Sequence, residues 1–487
     1  MRIRKILLIA AAALCTLTAG AQRQVRLDIL RTMELATDSS LSSDRYRSVY
    51  DQAKWNYEAY LATRKPQISL VSTPLEYDHY MVQRYLSDED RDVYRQQRKL
   101  YSSASVQATQ DIEALGGTLY GNAGVSFLRS FGAYNESQFS TVPILVGYKQ
   151  ELLGFNSLKW NKLLEPLKMQ AAEKQFAYEQ EEAATVAAEK FFDLALAQEN
   201  HNIAKDYLAS CDTLYAIGKR KFYIASISKA ELLILDIDRT NAQNNLINTQ
   251  ISLRQAMQDL ALWLKMDENT QIELIIPKAM MNLRIDPVEA VNKAQENNPT
   301  YITDRQAIVS AHKDLAKAKV ERRWNASVDV KAGLNQVDNN LWYAIGHPLL
   351  QDYASISLTI PLLDWGAGKY KQLAAESALE NTLTTARQNS ETLELKVRQY
   401  VSDFNQRQTL VENTMKTQAT AEEAYNATLQ RFASGQATVS DITIAQNRWQ
   451  MARQNYVNAL KNYWLAYYEL RKVTLYDFIA HKTITHR

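Results

Sequence analysis

Residues able to do chemistry are few and scattered in this 487-residue chain. Its six histidines stand at 79, 201, 312, 347, 481 and 486, and none has the H-E-x-x-H spacing that sets two imidazoles on one helix face around a metal. Asp88, Asp90 and Asp92 have the 1, 3, 5 spacing of a calcium loop. Val93 holds the sixth position, however, where glycine makes the sharp turn, and Lys99 the twelfth, where a bidentate glutamate belongs. That segment reads as a solvated charge run. No phosphate-cradling P-loop is present. With no nucleophile, base and metal set in reach of one another, the sequence points to no enzyme and no cofactor.

The first 21 residues read as a targeting segment: Arg2, Arg4 and Lys5, an apolar run from Ile6 to Leu17, and the Ala19-Gly20-Ala21 cleavage pattern. Cys15 lies inside that run behind Leu14, where a lipidation signal has a small residue. Cys211 is then the one cysteine of the mature chain and reads as a small buried hydrophobe. Loss of the three basic leader residues turns the formal charge of +2 into −1, which excludes the basic excess of a nucleic-acid binder. After the leader no 18-residue apolar run follows, so no membrane-crossing helix is expected; strands remain open to an exported chain.

Breaks in the chain are clustered. Of 14 glycines, seven lie between Gly116 and Gly154 and four between Gly333 and Gly368. Lys369 to Ser434 has neither glycine nor proline, a helix of ~100 Å at 1.5 Å per residue. Beyond Gly435 the residues Ile442, Ala445, Trp449, Ala452, Tyr456, Ala459, Tyr463, Ala466 and Leu470 alternate spacings of three and four, a coiled-coil seam with large residues at one heptad position and alanine at the other. Two antiparallel helices joined near Gly435 follow. An offset of 210 carries this seam back onto Leu232, Leu235, Arg239, Ala242, Leu246, Thr249, Leu253, Ala256 and Leu260, and Phe432, Asp441 and Trp365 onto Phe222, Glu231 and Phe155. The chain is an internal duplication. Upstream the offset is 258, relating Ala36, Arg47 and Ala53 to Ala294, Arg305 and Ala311, so the first copy carries 48 extra residues between Val71 and Val142.

The domain reading is therefore a leader (1–21), a first repeat (22–265, insertion about 72–103, tip near 225), a joining segment (266–287) that wraps the outside, a second repeat (288–475, strand pair 326–363, tip near 435) and a tail (476–487). In the glycine-rich windows Val328, Val330, Ala332 and Leu334, then Ile356, Leu358 and Ile360, alternate with polar residues. Val142, Ile144, Val146 and Tyr148, and less cleanly Val106, Ala108, Ile112 and Ala114, repeat the pattern, giving four strands. A half-buried soluble hairpin has the same alternation. Export, rods with no globular core beside the strands, and Trp324, Trp342, Tyr343, Tyr353 and Trp365 near the strand ends favour a lipid-facing sheet with an interfacial aromatic belt. Four strands cannot close a barrel, and an open edge is not tolerated in lipid, so several chains must share one.

On this plan, and on the tip segments Lys221 to Leu232 and Arg431 to Ile442 and the stretch Pro361 to Gly368, the sequence resembles the TolC-type outer-membrane efflux proteins over nearly all its mature length. The resemblance implies a mainly α fold with membrane β: duplicated long-helix coiled-coil hairpins forming an α-helical barrel, plus four strands per chain in a trimeric 12-stranded outer-membrane β-barrel. It implies a passive, homotrimeric exit duct for a tripartite efflux pump or type I secretion, reaching a periplasmic adaptor and an inner-membrane pump. Carried over by position, the adaptor-facing tips are Ala225, Ser226, Ile227 and Ser228, and Gly435, Gln436, Ala437 and Thr438. Glu231 and Asp441 are the candidates for narrowing the tunnel mouth, where three symmetry copies of a carboxylate would raise one another's pKa. An acidic residue in the first turn of a helix is also commonly a cap. Two departures stand out: Ala225 replaces the glycine of the other copy, so the first turn falls at Gly218 or tolerates a tighter geometry, and Ile444 occupies a site where some members have a second acid. The alternative from another class is a periplasmic coiled-coil scaffold or adaptor without a channel.

Overall fold

The computed structural model describes residues 24–39, 41–86, 90–131, 135–268, 270–277 and 283–485. The leader with Cys15, Asp88 of the charge run, part of the joining segment and His486 lie outside the described residues.

In chain order the elements are β1 (Gln24–Asp28), α1 (Ile29–Ser39), α2 (Leu41–Thr63), β2 (Gln67–Leu86), β3 (Arg91–Ile112), β4 (Gly117–Phe131), β5 (Glu136–Glu151), α3 (Ser157–Tyr223) and α4 (Lys229–Trp263). The second half adds β6 (Gln271–Ile275), α5 (Pro287–Asn297), α6 (Pro299–Glu321), β7 (Asn325–Asp338), α7 (Leu341–Gly346), β8 (Leu349–Thr359), α8 (Ala367–Ala433), α9 (Val439–Thr474), β9 (Tyr476–Asp477) and β10 (Lys482–Thr483). The two longest helices, α3 and α8, have 67 residues each, as the absence of breaks in the second copy predicts. Among the described residues no helix is long and apolar enough to cross a membrane.

The chain divides into two compact units. One, Asp51–Ala171 with Thr300–Asn389, is built on a single antiparallel sheet of six strands in the order β2-β3-β4-β5-β7-β8. This corrects the expected four. The strands read from alternation correspond to β3, β5, β7 and β8, although Ala114 and Ile360 fall just beyond β3 and β8; β2 and β4 escape the pattern because their alternation is broken by Pro74 and by three glycines. The offset of 258 carries Gln67, the first residue of β2, onto Asn325, the first of β7, so the surplus of the first copy is the central pair β3 and β4. Register makes the two faces continuous. One cross-strand row is Ile68, Ala108, Gly121, Val146, Ala332 and Asp352; the adjacent row, on the other face, is Gln67, Thr109, Tyr120, Gly147, Lys331 and Tyr353. On the apolar face Ile68, Leu70, Val106, Val146, Val330, Ile356 and Leu358 are between 46% and 77% exposed, so none of the described residues covers it. Trp324 and Trp365 stand exposed beside one end of the sheet, Trp342 and Tyr343 beside the other. Tyr353 departs from the expected belt: it lies mid-strand on the polar face with Lys331 Nζ 4.6 Å above its ring.

The other unit comprises the described part of Met1–Tyr50 with Ala172–Pro299 and Ser390–Arg487. All nine seam positions from Ile442 to Leu470 are buried or half-buried on α9, and so are the nine of α4. Arg239 is admitted to the apolar seam by an ion pair to Asp212 at 2.6 Å and by packing over the Tyr215 ring. The largest core gathers Phe191, Phe192, Val397, Val401, Phe404, Tyr463 and Tyr467, with the Phe404 ring 5.1 Å from that of Tyr463. Within the joining segment, Gln271–Ile275 pairs in parallel with Gln24–Asp28, which gives the strand-like stretch a partner. Residues 476–485, expected as a tail, fold back instead: Tyr476 and Phe478 are buried, and the Tyr467 hydroxyl donates to Asp477 at 2.7 Å. Cys211 is buried, and burial pushes its thiol up to about 11, in keeping with a packing role. Because Phe404 is fully buried between two tyrosines, Phe404→Ala should cost about 3–5 kcal/mol, read as a lower midpoint of denaturant unfolding of the helical unit.

Candidate functional site

Both hairpin tips are built by the same device. At the end of α3 the amides of Ala225 and Ser226 donate to the carbonyls of Phe222 and Lys221 at 2.9 and 2.8 Å; at the end of α8 those of Gly435 and Gln436 donate to Phe432 and Arg431 at 3.1 and 2.8 Å. This closure requires a left-handed residue, and the two are Ala225 (φ +56°) and Gly435 (φ +82°). The first turn therefore sits at Ala225. Gly218 lies inside α3, where its missing side chain lets Leu235 pack against the backbone.

The next helices start with matched capping boxes. Ser228 and Thr438 are the N-caps; the Glu231 and Asp441 amides donate to their hydroxyls at 3.2 Å, and the carboxylates accept from the Ser228 and Thr438 amides at 2.8 and 2.9 Å. The same carboxylate oxygens accept the Ser228 and Thr438 hydroxyls at 2.8 Å. Within one chain these bonds, the backbone amide first, hold both carboxyls below their ordinary range, and Arg431 adds to the effect at Asp441. That is the opposite direction from mutual repulsion in a ring. The two acids thus lie at equivalent places one turn beyond each tip, and each is a helix cap.

The tips differ in what surrounds them. Phe432 is 1% exposed in a cluster with Leu214, Leu235, Tyr425, Val439 and Ile442, whereas Phe222, its mate in the duplication, is 37% exposed. Phe222, Tyr223 and Ile224 form an uncovered apolar lip on the first tip, beside the expected contact residues Ala225, Ser226, Ile227 and Ser228. Sequence reasoning passed over this lip because the duplication suggested that both phenylalanines do the same work. It also missed Lys221, which ties the tips together by donating to the Phe432 carbonyl at 2.8 Å and lying 4.4 Å from the centre of its ring. Further along, Arg453 bridges Glu199 and Asp206 at 2.6 and 2.9 Å and leaves one hairpin clamped to the other. Among the described residues no group of three or more His, Cys, Asp or Glu could hold a metal ion. Asp90 and Asp92 of the charge run accept hydrogen bonds from Tyr85 and Gln83.

Residues 290–474, nearly the whole second repeat, match the family model described as outer membrane efflux protein. Over that stretch the chain is similar to the outer membrane efflux proteins. Solved structures share its fold at low identity. A membrane protein from Pseudomonas aeruginosa is 13% identical with a TM-score of 0.66, the match covering 92% of this chain and 90% of that one. The CmeC outer membrane channel of Campylobacter jejuni is 12% identical, with a TM-score of 0.65 and coverage of 92% and 85%. The outer membrane protein VceC of Vibrio cholerae is 13% identical, with a TM-score of 0.61 and coverage of 92% and 95%. No curated protein matches the sequence significantly.

Two tests bear on the tips. A side chain in the left-handed region costs of the order of 1 kcal/mol, so Ala225→Gly should slow, and Gly435→Ala hasten, hydrogen exchange of the adjoining tip amides about fivefold. No heavy atom lies within 4 Å of a side chain added at Gly435, which leaves backbone strain as the cause. The caps give a sign for pH: a carboxyl whose folded pKa is depressed stabilises fully above its unfolded value and loses that contribution as pH falls through the folded one. Protection of the Thr438 and Asp441 amides, corrected for intrinsic exchange, should hold at neutral pH and fall in acid below the ordinary carboxylate range. Asp441→Asn should remove the dependence.

Proposed function

We propose that this chain is the outer-membrane exit duct of a tripartite efflux pump or type I secretion system: a passive, homotrimeric channel-tunnel of a Gram-negative-type cell with a long periplasmic extension. The observation that carries the reading is the sheet: among the described residues its apolar face is uncovered across all six strands, its opposite face is polar, and its edge strands β2 and β8 each lack a second partner. Such a sheet is stable in lipid when its edges meet copies of themselves. Every connection from the sheet to a long helix leaves from one end.

In this reading outer-membrane lipid covers the apolar face, and a periplasmic adaptor joined to an inner-membrane pump docks on the tips. The contact residues are Ala225, Ser226, Ile227 and Ser228 with the lip before them, and Gly435, Gln436, Ala437 and Thr438. Glu231 and Asp441 from three copies narrow the mouth, and their charge, kept on by the capping boxes, concentrates cations there. The duct does no chemistry; substrate moves on energy spent by the pump. The family description supports efflux over secretion as the first use.

Single-channel recording of detergent-purified protein in a planar bilayer tests this. The expected result is a small, cation-selective conductance that changes in Glu231→Ala and Asp441→Ala; Asp441→Asn, which keeps an acceptor for the cap, should match the Asp441→Ala change if charge is what matters. Protein soluble without detergent and silent in the bilayer would reject the duct and leave a periplasmic scaffold.

A further inference from the structure

The surplus of the first copy is not an appendage on the sheet; it lies in the middle of it. β3 and β4 stand between β2 and β5, with 18 residues of β2 paired to β3 and continuous pairing from β3 to β4. Two strands are the smallest addition that keeps every neighbour antiparallel and leaves β8 running opposite to β2, so that β8 of one copy can still pair antiparallel with β2 of the next. The added pair is tied to its surroundings at its turn and on its polar face. Its turn carries Glu113, which accepts from Arg64 at the end of α2 and is paired with Lys162 of α3 at 3.4 Å, while the Glu113 carbonyl accepts from Asn156. On the polar face Tyr120 of β4 crosses Gly147 of β5, where a side chain would meet its ring at 2.4 Å, and donates its hydroxyl to Asp329 of β7 at 2.7 Å. An outside decoration would not need a gap in the next strand or a bond to the one beyond.

On the reading of the chain as a trimeric duct, we infer that each copy supplies six strands to one barrel, that three copies close a wall of eighteen, and that this pore passes hydrated polymers which a twelve-stranded barrel turns back. Barrel diameter grows roughly in proportion to strand number, so the bore is about half as wide again as that of a twelve-stranded wall. The shortest strand, β8, has 11 residues, enough to cross the hydrocarbon, so all six can be wall. β2 and β3, with 20 and 22 residues, overshoot it; they carry their outer halves beyond the shift in register between Thr73 and Glu76.

Polymer exclusion separates the barrel from the tips, because polyethylene glycols added on the barrel side report the bore at that end. The test compares the full chain with a variant lacking residues 91–131, in which the loop after β2 joins the loop before β5. The largest polymer radius admitted from the barrel side should fall by about a third in the variant, with a smaller change or none from the tip side. An unchanged cut-off in a variant that still conducts would overturn the inference and leave the duct standing. Should the variant fail to assemble, end-on averages of the unaltered particles by electron cryo-microscopy decide the matter: eighteen strands in the wall support it, and twelve with β3 and β4 outside overturn it. Absence of conductance in the unaltered chain would sink the duct itself, and this inference with it.

Discussion

Backbone hydrogen bonding at the two edges of one sheet is the constraint on which this molecule turns. Among the described residues each strand between β2 and β8 has a hydrogen-bonded neighbour on both sides, and the two edge strands have one on a single side. In water an edge can be left to the solvent. Beside a face that exposes Ile68, Leu70, Ile356 and Leu358 it cannot, since the medium that accepts those side chains offers nothing to an unpaired amide. In the proposed duct, oligomerisation, antiparallel closure and strand number all descend from that requirement, and an insertion in this sheet then comes as a pair of strands.

The helical unit solves a different problem, holding long rods together without a globular core. Large residues alternating with alanine along the seam let two helices approach closely while Trp449, Tyr456 and Tyr463 fill the groove between them. Where the seam is polar, as at Arg239, an ion pair takes over. At the tips the rods must reverse, and there backbone geometry rules: a left-handed residue closes one helix and a capping box opens the next. The carboxylates proposed to line the tunnel mouth are thereby positioned by a local motif before any neighbour arrives, so one side chain serves both the fold and the proposed selectivity.

Much of this was legible in the residues. Glycine clustering, the seam and the offset of 210 located both hairpins and their tips to within a few residues, and the tip motifs pointed to the family that the second repeat matches. Those features are local or periodic, and a chain with few breaks records them directly. The strand count was less legible. β2 contains Pro74 and a register shift, β4 contains Gly117, Gly121 and Gly124, and in both the alternation that marks a strand is diluted. Tyr353 was assigned to the belt because aromatic residues near a window's end look alike in sequence, whereas register sets it opposite Lys331 on the polar face.

Interactions that reach only a few residues along the chain are written in the residues themselves: helix length, seam, caps, turns, and the alternation of the better strands. Long-range packing settles which of two equivalent residues is buried, and how a surplus is accommodated. Phe222 and Phe432 occupy the same place in the duplicated sequence, yet one is uncovered and the other is enclosed between hairpins. The extra residues of the first copy could have been a loop, and became two strands of the sheet because their edges found β2 and β5. Burial and strand pairing depend on neighbours far apart in sequence, and a duplicated sequence does not say which neighbour each copy will meet.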